Sequence, residues 1–278
     1  MPPFADQTVV ITGASAGIGA ELARQLADQG AWLALAARRA HELDLVAQEC
    51  IARGGRALVV PMDVADPAQC DHLIARTVEA YGKVDMLVNN AGVGAHFRFE
   101  ESTDLGVYER VMRVNYLGSV YATHSALAAL KQSRGRIVAI SSLAGKTGVP
   151  NRTAYAASKH AMVGFFESLR IELDGSGVTV TIICPGFVQT DIRKNAFGAD
   201  GKPLGESHLR ESDVMLVDEC VRQTVEAMAH RRRDLVMTPH WTLTGIAKVV
   251  APGVVDGMAA RAIRRGARSE ERSGEGGG

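Results

Sequence analysis

The sequence predicts an α/β fold, a single doubly wound domain with a seven-stranded parallel sheet flanked by helices. Short apolar runs alternate along the chain with longer stretches of helical spacing, the pattern of strands joined by crossover helices. The runs are apolar throughout and do not alternate with polar residues, as strands covered on both faces require. A length of 278 residues, 46% of them hydrophobic and 22% charged, suits one large domain with a full core.

The strand runs are Thr8–Thr12, Trp32–Ala37, Ala57–Val60, Met86–Val88, Arg136–Ile140, Val178–Cys184 and Leu235–Met237. Between them Ala20–Gln29, Ala68–Tyr81, Val107–Leu130 and Thr153–Leu173 have helical spacing, the last ending at Asp174-Gly175. The domain is expected over residues 1–240, with a substrate loop at about 187–216, a C-terminal helical extension over 241–265 and a disordered tail over 266–278. Gly198–Gly205, rich in Gly and Pro, reads as a mobile loop.

Composition excludes several functions. The formal net charge is zero, so nucleic acid is not an expected partner. The four cysteines are scattered without a C-x-x-C pair, and the eight histidines lack H-x-x-x-H spacing, so no metal is expected. Met1–Gln7 is too short for a signal peptide, and no stretch has 18 uncharged apolar residues. A cytoplasmic protein is expected.

The first run leads directly into Thr12-Gly13-Ala14-Ser15-Ala16-Gly17-Ile18-Gly19, which opens a helix. Glycines allow a sharp turn and close approach to a pyrophosphate, and a helix N-terminus offers free N–H groups. At the first β–α junction of an α/β protein this is a Rossmann-type nucleotide site. The second run ends in Ala37 where NAD-binding proteins place an acid, and Arg38-Arg39 follow, suited to a 2′-phosphate. NADP(H) is therefore expected in preference to NAD(H).

The spacing is G-x-x-x-G-x-G, and with it the sequence resembles the short-chain dehydrogenase/reductase family. Asp63 and Val64 follow the third run, Asn89-Asn90-Ala91-Gly92 the fourth, and Pro185-Gly186 the sixth, with Val188 and Thr190 beyond. The resemblance, from about Gln7 to Thr190, implies that Gly13, Ser15, Gly17, Ile18, Gly19, Asp63, Val64, Asn89, Ala91, Gly92, Pro185, Gly186, Val188 and Thr190 hold the cofactor.

Tyr155-Ala156-Ala157-Ser158-Lys159 places a tyrosine and a lysine four apart, on one helix face. Free tyrosine has a pKa of about 10, and a neighbouring ammonium lowers it, giving a proton shuttle for a carbonyl or alcohol. Ser142 closes the fifth strand 13 residues earlier. The resemblance implies that Tyr155 is the acid/base, Ser142 bonds the substrate oxygen, Lys159 also holds the nicotinamide ribose, and Asn115 helps hold a relay water. Ser141 faces the opposite side by strand alternation.

The activity so implied is hydride transfer between NADP(H) and a carbonyl or alcohol. A non-catalytic cofactor-sensing regulator is the alternative, which the full Ser142–Tyr155–Lys159 set opposes. Epimerase or dehydratase chemistry on a sugar nucleotide is disfavoured by the glycine spacing. Gly94–Phe99, Leu143–Pro150 and Phe187–Met215 are expected to line the substrate site, through Phe97, Phe99, Leu143, Val149, Phe187 and Met215. Such residues suit a hydrophobic substrate or simply pack on the core. By analogy with the family, a homodimer or homotetramer is expected. From Val221 to Arg268 nine Lys or Arg face three acids. This basic region reads as a weak contact with an anionic membrane surface, a dimer contact or a solvated face.

Overall fold

The computed structural model describes residues 2–205, 214–237, 250–255 and 257. The expected extension over 241–265 lies mostly outside these residues and the tail over 266–278 wholly so. The chain runs β1 (Thr8–Thr12), α1 (Gly17–Ala27), β2 (Trp32–Ala37), α2 (Ala40–Ala52), β3 (Arg56–Pro61), α3 (Pro67–Tyr81) and β4 (Met86–Asn89). It continues α4 (Gly106–Met112), α5 (Gly118–Ser133), β5 (Arg136–Ile140), α6 (Thr153–Glu172), β6 (Thr179–Cys184), α7 (Val217–Ala229) and β7 (Asp234–Val236). The seven strands form one parallel sheet in the order β3-β2-β1-β4-β5-β6-β7. The order reverses between β1 and β4, and a crevice opens there at the carboxyl ends of the strands.

Both faces of the sheet are covered, which explains the unbroken apolar runs. In β1, Val9 and Ile11 join one buried cluster with Leu22, Leu26 and Leu43 of α1 and α2 and with Val221 of α7. Val10 points to the opposite cluster, with Leu73 of α3, Leu130 of α5 and Phe166 of α6. The edge strands depart from the expectation of full burial. β3 is exposed at Arg56 and Pro61, and β7 is only half-buried along its length. A proline ending an edge strand removes no ladder hydrogen bond from the interior.

Local chemistry fixes several ends. Asp66 caps α3 by accepting from the Ala68 N–H, Pro67 begins that helix, and Gly82 ends it at φ +77°. The expected helix over Val107–Leu130 is interrupted. A π turn at Arg113–Leu117 separates α4 from α5 and carries Asn115. Such single-turn widenings cluster at functional sites, and nothing in the apolar periodicity marks this one. The expected mobile loop at Gly198–Gly205 is instead a hydrogen-bonded turn. Gly198 N–H donates to Lys202 O (2.8 Å), Leu204 N–H to Ala196 O (3.0 Å) and Gly205 N–H to Lys194 O (2.9 Å). No helix among the described residues is long and apolar enough to cross a membrane.

Candidate active site

A cavity of about 600 Å³ lies along the carboxyl ends of the strands, from the tip of β2 to the loops after β5 and β6. At its first end the chain leaves β1 through Gly13 (φ +67°) and Gly17 (φ +56°), backbone angles that L side chains rarely adopt. A Cβ on Gly13 would sit 2.7 Å from the Ala91 Cα, and one on Gly19 would collide with the Gly13 carbonyl oxygen. Helix α1 starts at Gly17 with no side-chain cap and no acid in its first turn. Its free N–H groups and positive dipole end therefore face the cavity, whose wall includes Gly13, Ser15, Gly17 and Ile18.

Asn90 ties the two central strands together beneath this loop. Its Nδ2 donates to Thr12 O (2.9 Å) and Gly13 O (3.1 Å), while Thr12 Oγ1 accepts from the Asn90 and Ala91 N–H groups at 3.0 and 3.1 Å. Asp63, Val64, Ala91, Gly92, Pro185, Gly186, Val188 and Thr190 line the cavity as expected. Two expected contact residues do not. Asn89 is buried behind the strand end, its Nδ2 donating to Thr123 Oγ1 at 2.9 Å, and Asn90 takes the wall position. Gly19 is also off the wall. Its lack of a side chain serves the packing of α1 against Gly13 and Asn90.

Arg38 and Arg39 both line the cavity beyond Ala37 and are exposed. Arg39 is engaged, donating to Ser15 Oγ (3.1 Å) and standing 3.8 Å from Glu42. Arg38 makes no hydrogen bond or ion pair among the described residues, so its planar fork is available to a phosphate.

At the other end Ser142, Tyr155 and Lys159 stand on one wall. Ser142 lies close enough to Tyr155 to pull its phenol down, and its Oγ accepts from the Ala144 N–H at 3.2 Å. Ser141 also borders the cavity, but its hydroxyl is taken up by Lys159 O, to which it donates at 3.2 Å. Lys159 is buried, with Nζ donating to Ile140 O (2.9 Å), near Met162 Sδ (3.4 Å) and 5.8 Å from the Tyr155 ring. Burial without a counter-ion pushes its ammonium down to about 8. Burial also pushes the Tyr155 phenol up, while Ser142 and the Arg152 charge pull it down. The sequence reading assigned that electrostatic role to Lys159. Lys159 Nζ, held by Ile140 O, stands 5.8 Å from the Tyr155 ring, and the Arg152 charge also acts on the phenol.

Asn115 is fully buried behind this wall, on the π turn. Its Oδ1 accepts from Val93 N–H (2.7 Å), and its Nδ2 donates to Val93 O (3.0 Å) and Ser158 Oγ (2.9 Å). Ser158 Oγ in turn donates to Tyr155 O (2.7 Å), so Asn115 links the β4 loop to the start of α6. Gly92 lies between them: a Cβ there would meet Asn115 Oδ1 at 3.2 Å and Lys159 Nζ at 3.7 Å.

Of the expected substrate wall, Leu143, Val149 and Phe187 line the cavity. Phe97, Phe99 and Met215 do not. Phe97 is buried in a small cluster against Tyr108, Phe99 lies exposed on the edge of the same ring, and Met215 packs on the core beside Val188. Ile192, Arg193 and Phe197, inside the expected stretch Phe187–Met215 but not singled out there, also line it, and Arg152 lines it from outside the expected stretches. They sit in irregular segments, where no periodicity points to a wall position.

The short chain dehydrogenase family profile matches residues 7–200. The chain belongs to this family. It is an oxidoreductase of the kind that acts on CH–OH groups with a nicotinamide cofactor. A Dictyostelium discoideum protein named dehydrogenase/reductase SDR family protein 7-like is 34% identical over 91% of this chain and 80% of its own length. An Arachis hypogaea protein named 11-beta-hydroxysteroid dehydrogenase A is 37% identical over 91% of this chain and 74% of its own length. A solved alcohol dehydrogenase from the archaeon Thermococcus sibiricus, complexed with 5-hydroxy-NADP, superposes with a TM-score of 0.70 and 26% identity, covering 83% of this chain and 94% of that one.

Proposed function

We propose that this protein is an NADP(H)-dependent oxidoreductase that interconverts a carbonyl and an alcohol on a hydrophobic substrate, with Tyr155 as the acid/base. The observation that carries this reading is the continuity of one cavity from unpaired Arg38, past the uncapped start of α1, to Ser142 and Tyr155. The residues present fit a phosphorylated dinucleotide: a phosphate cradle at Gly13–Gly19, Arg38 for a 2′-phosphate, and Lys159 beside the tyrosine for the nicotinamide ribose. The solved neighbour holding an NADP derivative supports the same cofactor. The family relatives named hydroxysteroid dehydrogenases support an apolar substrate.

The bound cofactor supplies the hydride. This chain's own groups handle the oxygen. Ser142 donates a hydrogen bond to the substrate oxygen and holds it against the Tyr155 hydroxyl. Tyr155 gives its proton to the forming alkoxide in reduction and accepts it in oxidation. Asn115 is a positioning residue, fixing the start of α6 through Ser158. A homodimer or homotetramer in the cytoplasm completes this reading.

NADPH consumption against a panel of ketones, aldehydes, steroids and acyl-chain carbonyls tests it. Tyr155→Phe should lower turnover by roughly 100-fold or more while NADPH binding stays within about 2-fold, since only the hydroxyl is removed. Turnover of no compound by the wild type would favour the cofactor-sensing alternative.

A further inference from the structure

We propose that the substrate carries an anionic group, a carboxylate or a phosphate, and that Arg152 binds it beside the reacting carbonyl. This rests on the carbonyl reading of the Tyr155 site. Arg152 stands at the N-cap of α6, three residues before Tyr155, on the cavity wall with Leu143, Val149 and Phe187. Its guanidinium lies over the Phe187 ring, 5.3 Å from the centroid. Among the described residues it makes no side-chain hydrogen bond and no ion pair.

The other half-buried arginines among the described residues are hydrogen-bonded. The half-buried Arg170 reaches Val180 O, Arg233 O and Asp234, and Lys146 reaches Glu167. The acid nearest along this wall, Asp191, is 3.5 Å from Lys194. A guanidinium stays charged at any accessible pH, and a partly buried charge without a partner is costly. Burial and the like charge of Arg193 push the Arg152 guanidinium below its usual range, the nearby Tyr155 acting the other way. Arg193, on the same cavity, donates from Nη1 to Val188 O at 2.9 Å and adds a second positive charge.

Among the described residues no carboxylate pairs with Arg152. The cofactor's phosphates do not supply the anion: their cradle is at Gly13–Gly19 and Arg38, by β1 and β2, whereas Arg152 lies beyond β5 beside Tyr155. The planar fork suits a carboxylate or phosphate held by two parallel hydrogen bonds, and the Phe187 ring fixes its plane. Leu143, Val149 and Phe187 then take an apolar body attached to that anion.

Calorimetric titration of the cofactor-saturated protein with decanoate, decyl phosphate and decanol tests this, and the tighter of the two anions identifies the head group. At least one anion should bind about tenfold or more tightly than decanol. Arg152→Leu should erase the difference while keeping cofactor affinity, and Arg152→Lys should retain part of it. Equal binding of all three, or a preference that survives in Arg152→Leu, overturns the proposal; if Arg152→Leu does not fold, Arg152→Gln takes its place. Turnover of a long-chain keto acid should exceed that of its methyl ester chiefly through KM. Anion preference without turnover of any carbonyl compound would sink the carbonyl reading and leave the anion site standing.

Discussion

The two ends of the cavity are built in different ways. The nucleotide end is made by backbone: two glycines at positive φ, a third packed on Gly13, and Thr12 and Asn90 joining β1 to β4. The substrate end is made by side chains, with Leu143, Val149, Phe187, Ile192 and Phe197 supplied by irregular segments after β5 and β6. A backbone constraint admits one residue type and leaves a spaced motif. A side-chain wall admits many residue types and leaves none.

Gly19→Ala should have the largest effect at the nucleotide end. The added Cβ meets the Gly13 carbonyl oxygen and lies 2.5 Å from Asn90 Nδ2, which is itself bonded to Thr12 O and Gly13 O. None of these atoms can yield without moving the loop. Overpacking of this kind costs about 1–3 kcal/mol, so NADPH affinity should fall roughly 10–100-fold and the melting temperature by several degrees. Titration calorimetry and a thermal melt check both. Unchanged binding would mean that the nucleotide end tolerates side-chain variation as the substrate end does, and the contrast would fail.

Arg38→Ala touches the one element of that end expected to act through a side chain. Losing a charge-assisted contact to the 2′-phosphate should weaken NADPH about 10-fold and leave NADH within about 2-fold, because NADH has no such phosphate. Parallel titrations with the two cofactors give the ratio. Equal losses for both would place Arg38 at the pyrophosphate instead.

The same division explains what was legible in the sequence. The seven strands and the glycine loop were readable because burial on both faces and positive φ each restrict composition. Asn89 was misplaced because adjacent asparagines share a motif, and only the turn after β4 decides that Asn90 faces the cavity. The π turn at Asn115 was invisible, since it shifts hydrogen bonds without altering residue type. Phe97 and Phe99 looked like substrate contacts because they are aromatic and near the site, yet Tyr108 holds both away from it. No motif in the sequence singles out Arg152. Its position on the wall and its lack of a carboxylate are properties of the tertiary structure alone.

The smallest expected effect separates the two ends by charge. Alcohol oxidation needs the Tyr155 phenolate and carbonyl reduction needs the phenol, so oxidation should rise with pH and reduction should fall once the phenol ionises. Burial raises the phenol's pKa, and the Arg152 charge acts against that rise. Removing the charge in Arg152→Leu leaves burial less opposed. The rising limb of kcat/KM against pH for oxidation of a neutral alcohol should therefore move to higher pH. Arg38→Ala, at the far end of the cavity, should leave that limb where it is, because a screened charge beyond about 10 Å has little hold on the phenol. A limb that moves in neither variant would show that Ser142 and burial alone set the tyrosine. A limb that moves in both would show that the two ends share one field.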